Sequence, residues 1–427
     1  MIAAPPVSVQ NTVLLRLAML ICAALPCLGS APLAADDWPR FRGPNGAGLT
    51  SAPGLPVEWT TKDYRWETLL PGVGHSSPVV INGKLFVTCG SEDGLSREIV
   101  CLDAADGKML WTRALTLQSD KLHAKNSYAS ATPAVSKDFV IASFADDERY
   151  VVAAFTHGGE PVWNEDLGTF ESQHGHGASP IIWRHIVIVP NDQKGPSSFV
   201  GLDIRTGRRI WTAPREPGIS GYGTPLVVER EGLAPQLIAS SQAMGVTSLD
   251  PATGMLNWKT GPLPQRTVSS PAFAGGTIFQ SCGQGGRGVL MIGVDPFAQS
   301  DDKRIVFERK KLLPYVPTPI ACEGCLFLWN DNGVVDCLDQ KTFESLWEDP
   351  ERVDGKFSAS PICVNGLLYA VSEAGEVAVA RISPRFEVIG RSPLGDDSHA
   401  TPAVADGKMY FRTFHKVLCL APRSEAN

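Results

Sequence analysis

An all-β fold, an eight-bladed β-propeller of four-stranded antiparallel blades, is predicted by three features of the sequence. A Ser/Thr/Ala-x-Pro or Thr-Pro step followed by an apolar run recurs eight times, at Pro78, Pro133, Pro180, Pro225, Pro271, Pro319, Pro361 and Pro402. The steps lie 41 to 55 residues apart, which is about the period of one blade. Each unit also repeats one internal plan. SSPVVINGKLFVTCG (76–90) reads as two strands joined by an Asn-Gly hairpin turn, and REIVCLDAADGKMLWTRAL (97–115) as two more around an Asp-x-x-x-Gly turn. Finally, the last unit stops after VLCLAP (417–422) without a fourth strand, whereas YRWETLL (64–70) has a fourth strand's pattern ahead of the first unit. Joining the two ends in the eighth blade closes the ring and removes exposed sheet edges.

In chain order, residues 1–35 read as an export signal. Arg16 is their only charge, the apolar run LAMLICAALPCLG follows, and small residues lead to a cut near Ala34 or Ala35. The run is short for a membrane span of about 20 residues. Cys27 follows Ala24-Leu25-Pro26, a poor setting for lipid attachment. Residues 36–63 form a lead segment, 64–423 the propeller and 424–427 a tail. Six of the ten tryptophans (Trp66, Trp111, Trp163, Trp211, Trp258 and Trp347) share one repeat position, with Phe307 and Ile389 in their place in blades five and seven. A structural role packing blade against blade is expected of them.

Composition agrees. Gly (41) and Pro (33) suit many tight turns, and only 19% of residues are charged, so long solvated helices are not expected. The net charge of −7 and the lack of a basic stripe argue against nucleic acid as a partner.

The cysteines leave several pairings open. Cys322-Glu-Gly-Cys325 flanks a hairpin turn rather than a helix start, which argues against a redox dithiol, and no second C-x-x-C completes a zinc site. A local Cys322–Cys325 disulfide, a Cys89–Cys101 disulfide between adjacent strands, and free thiols all remain open. Cys101, Cys337 and Cys419 share one repeat position, as small core residues do. Asn330-Asp331-Asn332-Gly333 lacks calcium-loop spacing and reads as a turn, and GQGGRG (283–288) joins two strands and opens no helix.

If the innermost strand runs away from one face, the residues just ahead of each proline ring the channel mouth there. That ring holds His75, Ser130, His176, Tyr222, Arg266, Tyr315, Phe357 and His399, with Glu92, Asp192, Asp331 and Glu373 on neighbouring loops. His75, His176, Tyr222, Arg266, Tyr315 and His399 are the candidate ligand-binding residues, because converging polar and aromatic groups mark a binding cleft. No catalytic residue is assigned, and no metal ligand.

The pattern CLDAADGKMLW (101–111) resembles the tryptophan-docking repeat of PQQ-dependent dehydrogenases and of the outer-membrane-assembly lipoprotein propellers. DDWPRFRGPNGAGLTSAPGLPVEW (36–59) resembles the opening of planctomycete-type PQQ-like repeat proteins. The resemblance implies a soluble, monomeric propeller of the periplasm or cell envelope that binds an envelope protein or polymer at its loop face. It leaves two alternatives. One is a PQQ-dependent dehydrogenase with Ca²⁺ held by a carboxylate such as Asp192 or Asp331 and Arg266 near the quinone. The other is a carbohydrate-binding propeller. The adjacent cysteine pair and the long capping insertions usual in the dehydrogenases are missing from the sequence, so no cofactor is expected.

Overall fold

The computed structural model describes Met1 and residues 37–119, 122–382 and 385–422. Apart from Met1, the expected export signal lies outside the described residues, as does the tail. Eight sheets, each containing four antiparallel strands, follow one another along the chain, consecutive in seven of them and completed in the eighth by a strand from the N-terminal region. The first is typical: Val79–Ile81, Lys84–Gly90, Ser96–Asp103 and Met109–Thr116. Two short 3-10 turns, Pro44–Gly46 and Asp301–Lys303, are the only helical elements among the described residues.

Local chemistry sets the register. Asn82-Gly83, Glu323-Gly324, Asn365-Gly366 and Asp406-Gly407 all have both residues at positive φ, the backbone that matches the twist of a two-residue hairpin. In the Asp-x-x-x-Gly turns the aspartate accepts from the backbone two residues on, as Asp103 Oδ1 does from Ala105 N (2.8 Å) and Asp250 Oδ1 from Ala252 N (2.7 Å).

The repeat tryptophans join neighbouring blades. The indole of Trp111 donates to the carbonyl of His157 (3.0 Å) and that of Trp163 to Ile204 (2.8 Å), each in the following blade. A Cβ on Gly107, Gly159, Gly207 or Gly254 would lie 2.5–2.7 Å from the ring of Trp66, Trp111, Trp163 or Trp211. Each ring therefore packs on the turn glycine of the next blade.

The ring closes as expected. Trp66–Leu69 pairs antiparallel with Lys416–Leu420, Trp66 opposite Cys419, as the outer strand of the last blade. The lead segment does more than precede the propeller. Trp38 exchanges backbone hydrogen bonds with Val80, and the carbonyl of Pro39 accepts from Val135 N. Arg40 Nη2 donates to the carbonyl of Pro225 (2.6 Å) and Arg42 Nη2 to that of Pro319 (3.1 Å). Leu49–Thr50 then adds a parallel strand to Ile362–Val364, giving that sheet a fifth strand. The segment thus crosses the channel on the side of the two-residue turns, holding blades one, two, four, six and seven.

One cysteine expectation is corrected. Cys322 forms no bond across its own hairpin. It is joined to Cys363 of the next blade, while Cys325, Cys89 and Cys101 are free thiols. Cys322 and Cys325 do face each other across the turn, but the inner strands of adjacent blades converge near the axis and bring Cys363 within bonding reach.

Candidate functional site

Opposite the lead segment the channel opens into a well of about 580 Å³. Its wall follows from the extended chain ahead of each proline, where alternate residues face one way. One residue before the prolines stand Ser77, Thr132, Ser179, Thr224, Ser270, Thr318, Ser360 and Thr401, and all eight line the well. Serine and threonine alternate strictly around this ring. In seven of the eight steps the backbone N–H of one member donates to the hydroxyl oxygen of the next blade's member at 2.9–3.1 Å, and Thr401 to Ser77 closes the circle. The ring is both a fastening between blades and a polar collar.

Three residues before the prolines stand His75, Ser130, Gly177, Tyr222, Val268, Val316, Ser358 and His399, again all on the wall. Phe41 of the lead segment also lines the well, and Arg266, Lys125 and Lys356 add positive charge.

Five of the six candidate residues therefore share one cavity: His75, Tyr222, Arg266, Tyr315 and His399. His176 is placed elsewhere. It is buried (8% exposed) behind the wall, its Nε2 lies 3.0 Å from the hydroxyl of Tyr150, and that hydroxyl donates to the carbonyl of Pro190 (3.0 Å). Phe357 is buried as well, and Gly177 and Ser358 take the wall positions. Counting strictly three residues back from each proline gives one inward ring, and Arg266 and Tyr315 reach the well from five and four residues back. The hydroxyl ring, which sequence reasoning passed over, is visible in the same way as an unbroken Ser/Thr series.

The imidazoles form two pairs. His75 and His399 have ring centroids 4.5 Å apart, and His123 and His174 are stacked at 4.3 Å. Burial, helped by the neighbouring His399 and Arg412 charges, holds His75 well below its ordinary pKa. Burial likewise lowers His174, with Arg266 and His123 adding to the effect. Both effects favour the neutral imidazole of His75 and of His174. Arg266 is clamped by His174 Nε2 (2.8 Å) and Gln173 Oε1 (2.7 Å), with its guanidinium carbon 5.9 Å from the Tyr222 ring centroid. Burial pushes the Tyr222 phenol up to about 12, so it remains a hydroxyl.

The nearby carboxylates are committed to structure. Asp331 accepts from the backbone N–H of Tyr315 (2.7 Å) and Val316 (3.2 Å) and so fixes that stretch of wall. Glu373 accepts from Lys125 Nζ (2.8 Å) and the Ser358 hydroxyl (2.6 Å). Asp192 is buried against Arg215 Nε (2.6 Å). Glu92, the fourth of these loop carboxylates, is exposed. Among the described residues no group of three or more His, Cys, Asp or Glu could hold a metal ion. This donor set does not suit a calcium-held quinone, since Asp192 is already ion-paired with Arg215 and both oxygens of Asp331 accept from backbone N–H groups.

The fold and the well define a ring-closed propeller of PQQ-like repeats with one end of its channel covered by the lead segment. A family model described as outer membrane protein assembly factor BamB matches residues 96–349, more than half of the chain, and the protein belongs to that family. Solved structures agree on the fold. BamB from Moraxella catarrhalis is 13% identical, with a TM-score of 0.60, over 85% of this chain and 98% of that one. The quinohemoprotein alcohol dehydrogenase from Comamonas testosteroni is also 13% identical, with a TM-score of 0.66, over 92% of this chain and 81% of the other. The computationally designed Ika8 protein matches with a TM-score of 0.58 at 13% identity, over 83% of this chain and 98% of that one. No curated protein matches the sequence. No helix among the described residues is long and apolar enough to cross a membrane.

Proposed function

We propose that the protein is an exported, monomeric propeller of the periplasm or cell envelope that binds a partner or ligand at the loop-face well and performs no chemistry on it. The observation that carries this reading is the wall itself. An eightfold ring of hydroxyls and a second ring of mixed polar, aromatic and small apolar residues surround one open well, and the acids beside it are occupied in holding loops and cations. The matched family is described as an assembly factor, which is in keeping with recognition rather than turnover.

The test places a photo-activated cross-linker at Lys356 on the rim or at Asp406 on the opposite face, in cells exporting the full chain. Adducts with a defined envelope component from Lys356 but not from Asp406 are expected. Equal labelling from both faces would remove the loop face as the binding site. Titration with PQQ and Ca²⁺, followed by dye reduction with alcohols and sugars, checks the catalytic alternative. Turnover there would replace this reading with a dehydrogenase.

A further inference from the structure

The hydroxyl ring has a property that its role between blades does not use. Seven of the eight oxygens already accept a neighbour's N–H, which uses one of a hydroxyl's two acceptor sites, and none of the eight hydroxyl protons finds an acceptor among the described residues. All eight side chains are more than nine-tenths buried, and all line the well. The collar therefore presents hydroxyl protons at one level around the axis, on the surface of the open well.

The charge around it has the same sign. Arg40 and Arg42 are buried under the collar, held by the carbonyls of the prolines that directly follow Thr224 and Thr318. The Nε of each has no partner, and no carboxylate appears among their bonds. At the mouth Arg266 is also buried, with Nε unpartnered, and Lys356 stands beside it, while Lys125 is paired with Glu373. Asp331 is the one carboxylate on the wall, and its oxygens are capped by backbone N–H groups. Buried cations are normally paired. Arg266 and Lys356 line the well itself, bonded to no carboxylate among the described residues, so the well is the adjoining space able to hold their counter-charge.

We propose that the well receives an acidic saccharide, one or two sugar rings carrying a carboxylate. This rests on the well being the binding site. A ligand that satisfies the collar must offer many acceptor oxygens and negative charge. A peptide brings a backbone N–H for each carbonyl, so only half of its main-chain polar groups can accept from the collar. Sugar hydroxyls accept from the collar and turn their own protons to the amide oxygens of Gln284 and Asn332 on the rim, while ring faces lie on Tyr222 and Tyr315. The volume of about 580 Å³ is that of a site for a drug-sized ligand, the bulk of a disaccharide.

Calorimetric titration of the purified protein with digalacturonate, its dimethyl ester and tri-glutamate tests this. Saturable one-to-one binding of digalacturonate is expected, weakened at least tenfold by esterification, by Arg266→Gln and by raising salt from 50 to 500 mM. Lys356→Gln, on the rim, is expected to weaken binding severalfold without lowering the melting temperature. Melting curves separate loss of binding from loss of fold. Equal affinity for the ester, tighter binding of tri-glutamate, or no binding of any uronate by folded protein would overturn the proposal. If uronates fail to bind while rim cross-links persist, the saccharide assignment falls and the loop-face reading stands.

Discussion

At the scale of single residues, the fold rests on positions where a side chain or its absence has one acceptable form. Gly207 has φ +72, and a Cβ there would sit 2.7 Å from Trp163. Gly207→Ala combines backbone strain with a clash at a blade interface, and a loss of about 1–3 kcal/mol is expected in urea denaturation. His176 makes a different demand. Burial lowers its pKa from 6.5 to about 3, so the fold keeps the ring neutral between Tyr150 and Phe170. Above about pH 6.5 neither the folded nor the unfolded chain protonates it, and its contribution is intact. As the pH falls from there toward 3, the unfolded chain gains a proton that the folded chain refuses. Stability is therefore lost at up to about 1.4 kcal/mol per pH unit from this site. His176→Gln removes the titration while keeping a donor for Tyr150. Its urea midpoint is expected to fall less between pH 7 and 4.5 than that of the native protein, and an equal fall would show that the site is not responsible.

At the scale of strands and turns, the sequence is legible where chemistry is local. The Asn-Gly and Asp-x-x-x-Gly turns, the tryptophan position and the closing strand at 64–70 could all be read, because each depends on residues a few places apart. The wall of the well was legible in part. Extended chain alternates its side chains, so a shift of one residue ahead of Pro180 exchanges Gly177 on the wall for His176 behind it. What could not be read is set by tertiary approach. Nothing near Cys322 indicates Cys363, which lies 41 residues on and reaches it only because inner strands of adjacent blades converge. A cross-link closing a loop of that length contributes about 2–4 kcal/mol. Peptide mapping without reduction should recover the Cys322 and Cys363 peptides joined, and Cys363→Ala should lower stability by that amount while leaving Cys325 alkylatable. Recovery of a Cys322–Cys325 bridge would assign the bond to the hairpin instead.

At the scale of the whole molecule, two parts of the N-terminal region do separate work. Residues 66–69 supply the eighth blade's outer strand, so the first and last parts of the propeller share one sheet. Residues 38–50 bind across the channel to five blades and place Phe41 and the buried arginines at its covered end. A stack of repeats draws its stability from neighbour contacts, and a closed ring gives every blade two neighbours. Removing 37–59 should leave that ring intact: a single cooperative unfolding transition is expected, at lower temperature, with the channel open at both ends. Extending the deletion to residue 70 strips the last blade of its outer strand and exposes the edge at Lys416–Leu420. Edges of that kind recruit other chains, and a ring cut at one interface can fray from it. The longer deletion is therefore expected to unfold in more than one step by calorimetry and to self-associate by light scattering. If the two deletions instead melt alike and stay monomeric, inter-blade contacts hold the ring without the shared sheet, and the lead segment's bridging of five blades is the stronger fastening.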